Sequence, residues 1–176
     1  MNAALRLSWY KFKHHYMDFV KVLLGIVAFE GLILYIQDKG FLKDFETTRM
    51  TLFLLLFSTS LLIVVQNSIY ISKERSVLNR DFFSGLSRSA FALASMGIHA
   101  FFAVLETIVF ILSYSVFSKF FDKEFPDAGH IFGSYRWEVG ITVLLVFLAS
   151  HFIALFLSAL VGKSEITSVI LAVVVG

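Results

Sequence analysis

Four long apolar runs separated by short polar stretches organise this chain, and their lengths set the scale of what it can build. The runs cover Val20–Gln37, Met50–Ile71, Ala90–Phe117 and Val139–Val161. Each is close to or above the roughly 20 apolar residues that a helix needs to cross a bilayer. A fifth run starts at Ile166 and reaches Gly176 with about half of that length, so we expect a span that continues beyond Gly176. The pattern predicts an all-α, polytopic transmembrane helix bundle, truncated within its fifth span. Residues 1–19 precede it as a separate N-terminal segment, and residues 20–176 form the transmembrane domain.

Composition narrows the class further. Hydrophobic residues make up 58% of 176 positions and charged residues only 16%, a balance that excludes a water-soluble domain of this size. A single proline, Pro126, leaves the runs unbroken, and the lack of cysteine excludes disulfides and thiol chemistry. A net charge of +2 is too small to point to nucleic acid. No short apolar core with a small-residue cleavage site marks a removable signal peptide.

Lys and Arg orient the spans. With the N-terminus in the cytoplasm, nine of the 15 cations fall inside, among them Lys11, Lys73, Arg75, Arg80 and Arg88. Six fall outside, among them Lys43, Arg49, Lys119 and Arg136. The bias favours an N-in, multi-pass protein, with the bacterial cytoplasmic membrane as the expected location. In the N-terminal segment Leu5, Trp9, Phe12, Tyr16 and Phe19 recur at helical spacing, with Arg6, Lys11, Lys13 and His14 on other faces. That describes an amphipathic helix in the headgroup layer, or more simply a cationic flank to the first span.

The stretch between the second and third runs is the least generic. Lys73, Glu74, Arg75, Arg80, Asp81 and Arg88 mix both signs, Val77, Leu78, Phe82 and Phe83 form an apolar side, and Ser84-Gly85 offers a break. On periodicity this is a short amphipathic helix on the inner face, ended by Gly85; an ordinary capped loop fits the same residues.

Within that stretch the chain resembles the membrane domains of type-2 ATP-binding-cassette exporters, closest to the G-subfamily-like branch and its bacterial relatives. The resemblance rests on Asn67, Ile71, Lys73-Glu74-Arg75, Arg80-Asp81, Gly85-Leu86-Ser87, Ala90-Phe91 and Ser95, with a weaker likeness over Leu155–Ile170. Asp81 stands where that family usually has Glu, and Met96 where Lys is common. The resemblance implies a membrane subunit that forms a translocation pathway for a hydrophobic or amphipathic substrate. It implies a coupling helix at about 73–87 that sits in a groove of an ATPase domain, with Lys73, Glu74, Arg75, Arg80, Asp81, Ser84 and Gly85 as contact or hinge residues. It further implies a second membrane domain, as homo- or heterodimer. ATP and Mg would be bound by a partner or fused nucleotide-binding domain, and this chain would be no enzyme by itself. Substrate contact would come from the second and fifth spans, here around Phe57, Ser58, Ser60, Leu61 and Val64.

Gly162-Lys163-Ser164 is not a phosphate-binding loop, because the Gly needed five positions earlier is Leu157. Glu30, His99, Glu106 and His151 interrupt the apolar runs, and such residues ordinarily face a protein interior or cavity. His99 and Glu106, seven apart, share a helix face. They and their partners fit either a proton relay or plain interhelical hydrogen bonds. The histidine spacing supports no metal site. Two other classes fit the composition: a non-transporting scaffold or sensor subunit, and a membrane-embedded lipid-modifying enzyme, which would need a converging catalytic cluster.

Overall fold

Interior stripes in the apolar runs decide how the helices meet. The computed structural model describes residues 16–37, 45–68, 78–80, 82–85, 87–122, 133–160 and 173–174. Four long helices carry the four apolar runs: α1 (Tyr16–Ile36), α2 (Phe45–Ser68), α3 (Arg88–Phe120) and α4 (Tyr135–Leu160). Among the described residues there is no strand. Each helix is long and apolar enough to cross a membrane. All four begin before their apolar run does, because Tyr16–Phe19 or Tyr135–Glu138 can extend a helix into the headgroup layer as readily as end it.

On α1 the buried positions are Val22, Ile26, Glu30 and Leu34, a four-residue repeat down one face. Thr51, Leu55, Thr59 and Ile63 repeat the same spacing on α2. Such rows are the ridges by which helices interlock. α1 packs on α2 and α3, and α4 packs on the same two, so the bundle is a square with α1 opposite α4.

Contact pairs along each seam give the directions. Gly25 of α1 meets Leu62 of α2, near the far end of that helix, so the two are antiparallel. Phe19 lies on Phe102 and Gly31 on Phe117, so α1 and α3 run parallel. Phe147 packs edge-on against Phe110 at 5.8 Å and Gly140 against Ile111, which makes α3 and α4 antiparallel. Four successive crossings of one layer require this alternation.

α3, with 33 residues, is about 50 Å long, well beyond the roughly 30 Å of hydrocarbon. It must tilt or project. Ser87 caps its start in an extended conformation (φ −69°, ψ 127°), its hydroxyl accepting from the Ala90 amide at 3.5 Å. Its far end stops at Asp122, whose φ of 53° is left-handed.

Hydroxyls inside the spans are largely spent on their own helices. Thr59 donates to the Leu55 carbonyl at 2.6 Å, Thr107 to Ala103 at 2.7 Å and Ser115 to Ile111 at 2.7 Å. In lipid a hydroxyl without such an acceptor costs several kcal/mol, so the back-bonding removes a penalty. The core itself joins all four helices through Ile26, Leu55, Ile63, Phe110, Val143 and Phe147.

Residues 1–15 and the charged positions Lys73, Glu74, Arg75 and Asp81 lie outside the described residues, as does the expected fifth span apart from 173–174, which are helical. Between α2 and α3, residues 78–80 and 82–83 are helical and 84–85 form a turn.

The α1–α2 seam depends on a missing side chain. A Cβ on Gly25 would sit 2.5 Å from Leu62 Cδ2. Alanine can be absorbed by a rotation of that leucine, but valine requires the helices to part. Gly25→Val should lower the unfolding free energy in detergent by about 1–3 kcal/mol. Adding Leu62→Ala should return part of that loss, and an uncompensated double variant would show that the seam is not the cause.

Candidate functional site

Polar side chains at three seams of the bundle form the candidate site. On α3 the residues His99, Glu106 and Ser113 recur every seven positions, so they lie along one stripe, with His99 and Glu106 fully inside the bundle and Ser113 beside its partner from α1. The α4 residue opposite the stripe is His151, also buried. His151 Nε2 lies 2.8 Å from Glu106 Oε2, and His151 Nδ1 lies 3.0 Å from His99 Nδ1. Three of the four polar residues singled out from the sequence therefore share one chain of contacts, Glu106–His151–His99. An edge-on Phe102 ring at 5.7 Å from the His99 ring walls it from α1.

Glu30, the fourth, is elsewhere. It is buried on α1 and takes a hydrogen bond from the Ser113 hydroxyl at Oε2, one polar repeat beyond Glu106. Two turns of α3, about 10 Å, separate this contact from Glu106, and about four turns separate it from His99. Glu30 Oε1 and Glu106 Oε1 are both buried and have no hydrogen-bond partner among the described residues. At the third seam Ser60 of α2 and Ser150 of α4 share a hydrogen bond of 2.6 Å, one residue from His151. Ser113 and Ser150 went unrecognised in the sequence. Ser113 could have been found by continuing the seven-residue step from His99 and Glu106; Ser150 carries no comparable signal.

The expected substrate face on α2 is only partly open. Phe57 is exposed and stacks on Phe53 at 5.5 Å. Ser60 is turned to Ser150, and Val64 is buried against Leu157. Ser58 and Leu61 are half-buried. α4 thus closes the C-terminal half of that face, and the open part extends the other way through Met50, Phe53 and Leu54.

Beyond α2 the chain returns to the bundle at Leu78, which is buried. Phe82 meets Phe91 of α3 edge-on at 5.9 Å, and the Arg88 guanidinium lies 5.6 Å above the Phe82 ring. Phe83 points away and is 94% exposed. The Ser84 amide donates to the Arg80 carbonyl at 3.0 Å, and Gly85 turns the chain at a φ of 104°, where a side chain would be strained. Two residues later Ser87 starts α3. Phe82 is therefore held against α3, and the turn at Ser84-Gly85 stands shortly before the Ser87 cap of that helix.

Between this helix, α3 and α4 lies a groove of about 600 Å³, lined by Asn79, Arg88, Phe91, Ser95, Phe152 and Leu155 among others. A second cavity of about 280 Å³ opens among α2, α3 and α4 near Tyr114, Tyr135 and Glu138. Among the described residues no group of three or more His, Cys, Asp or Glu is arranged to hold a metal ion. Glu106 and His99 meet opposite nitrogens of the His151 ring and do not converge on one point.

The family model of the ABC-2 type transporter membrane domain matches residues 6–176. No curated protein and no solved structure matches the chain significantly. The match spans all four helices and the charged stretch between α2 and α3, and the helices account for it: an integral, multi-pass bundle with its polar groups turned inward. The chain belongs to the ABC-2 type transporter family, as a membrane-embedded permease component.

Proposed function

We propose that this chain is the membrane half of an ATP-driven exporter, coupled to a separate or fused ATPase domain through residues 73–87. Family membership over residues 6–176 is the observation that carries the reading. The local geometry of the short helix supports it. Movement imposed on 78–83 passes to α3 through the Phe82–Phe91 contact, with the turn at Ser84-Gly85 shortly before the start of that helix. Arg80 and Asp81 face the ATPase domain in this reading, and exposed Phe83 supplies an apolar contact beside them. Glu74 and Arg75 pair with the ATPase domain or the N-terminal segment. Lys73 completes the basic edge. A second membrane domain closes the pathway against the open face of α2 around Phe57, and the phenylalanine-rich walls suit a hydrophobic or amphipathic cargo.

Two outcomes check this. Arg80→Ala combined with Asp81→Ala should reduce transport and transport-stimulated ATP hydrolysis at least about tenfold, the loss expected when a desolvated charge pair at an interface is removed. Membrane insertion and the thermal unfolding of the bundle should be unchanged. Full activity in the double variant would remove the coupling assignment. The orientation can be read separately, because the chain has no cysteine to mask a probe. Ser84→Cys should react with a membrane-impermeant thiol reagent in inside-out vesicles and stay unlabelled in intact cells; the reverse pattern would overturn the N-in topology.

A further inference from the structure

We propose that His99, His151 and Glu106 form a proton relay that carries a proton from the groove beside the short helix into the centre of the bundle. The proposal stands on the arrangement of atoms and does not depend on export or on the ATPase domain.

Two hydrogen bonds in series define the path. The contact between the two Nδ1 atoms, at 3.0 Å, holds one proton, because an imidazole nitrogen either donates or accepts. The contact between His151 Nε2 and Glu106 Oε2, at 2.8 Å, holds another. In the first arrangement His99 Nδ1–H donates to His151 Nδ1, His151 Nε2–H donates to the Glu106 carboxylate, and His99 Nε2 carries a lone pair. A proton arriving at His99 Nε2 displaces the Nδ1 proton onto His151 Nδ1. His151 then passes its Nε2 proton to Glu106 Oε2. Both imidazoles end neutral with their tautomers reversed, Glu106 becomes a carboxylic acid, and the cluster gains one proton and one unit of positive charge. Nothing is oxidised and no further reactant is needed.

Both ends of the path have a physical basis. On the uptake side, Ser95 lies one turn before His99 on the same face of α3; it is buried, its hydroxyl has no hydrogen-bond partner among the described residues, and it lines the groove. Phe152 and Leu155, next to His151 and one turn beyond it on α4, line the same groove. A groove of about 600 Å³ is roomy enough to admit water, with Asn79, Arg88 and Ser95 as polar partners in an otherwise mostly apolar lining. At the other end Glu106 Oε1 is buried with no partner among the described residues, so nothing described there holds the carboxyl group against the rotation that turns the proton on Oε2 away from His151.

Among the described residues, the other titratable groups of the four helices sit apart from the Glu106–His151 and His151–His99 hydrogen bonds. α2 has no ionisable residue between Arg49 and its end at Ser68, and its Ser60 hydroxyl shares a hydrogen bond with Ser150, the residue before His151. On α1, Glu30 is engaged by Ser113, and Lys21 and Asp18 pair with each other at the exposed start of the helix at 2.9 Å. On α4, Tyr135, Arg136 and Glu138 lie more than three turns away from His151. On α3, Arg88 lies three turns before His99, at the groove's edge, and Tyr114 two turns beyond Glu106.

The test uses the full chain in lipid nanodiscs with nitrogen-15-labelled histidine. In the unmodified protein, a scalar coupling between two Nδ1 atoms of different histidines should appear, and both rings should change tautomer in the same pH step as an infrared carboxylic-acid band. Glu106→Gln should delete that band. In His99→Phe, which keeps a ring in place and cannot carry a proton, the band should respond to a pH jump about a hundredfold more slowly, the scale that positioned proton transfer supplies. A response of unchanged speed in His99→Phe would overturn the relay. So would two histidines that titrate separately without coupling in the unmodified protein, a reading that holds even if the variant fails to fold.

Discussion

Glu106 and His151 face each other inside the bundle, both fully buried. That constraint governs much of the interior. A polar group within a span must find its partner inside the protein, because lipid offers none. Glu106 finds His151, His151 finds His99, Glu30 finds Ser113 and Ser60 finds Ser150. Each pair links two different helices. Individually such contacts contribute only about 0.6 kcal/mol, yet breaking one leaves a buried polar group that costs several times as much. They therefore act as selectors of register: a helix displaced by one turn along its axis would strand a carboxyl group in hydrocarbon.

Close packing supplies the rest of the cohesion. Without a hydrophobic drive between helices in lipid, association rests on van der Waals contact, and glycines that allow near approach matter more than in a soluble core. Gly25 beneath Leu62 and Gly31 beneath Phe117 place α1 against both of its neighbours. The result is a square of closely packed helices. α3 is its longest member and the one joined by the short turn at Ser84-Gly85 to the helix that we assign to the ATPase interface. The same helix carries the stripe of His99, Glu106 and Ser113. The polar stripe and the end assigned to the ATPase interface are thus carried by the same helix.

Much of this was legible in the residues alone. The four runs are long and unbroken, so the helices follow from the length of a bilayer crossing, and the family resemblance at Lys73-Glu74-Arg75 and Arg80-Asp81 agrees with the family that the chain matches. Glu30, His99, Glu106 and His151 stood out because ionisable groups are rare in such runs. Their pairing was not legible. His99 and His151 are 52 positions apart, and only the antiparallel register of α3 and α4 makes them neighbours. Glu30 belonged by type with the histidines, yet the parallel packing of α1 on α3 gives it to Ser113. On α2, Phe57, Ser60, Leu61 and Val64 share a helical face in projection; that α4 would cover Ser60 and Val64 depends on tertiary packing, which periodicity does not encode.

As the proposed membrane part of an ATP-driven transporter, this chain should be held in its native membrane together with an ATPase, and the composition of that complex is the measurement to make. The full-length protein should be extracted gently from its own membrane and everything that co-migrates identified by mass spectrometry. The account predicts an ATP-binding-cassette ATPase, fused or separate, at one copy per membrane domain. A stable, homogeneous complex free of any nucleotide-binding polypeptide would contradict it.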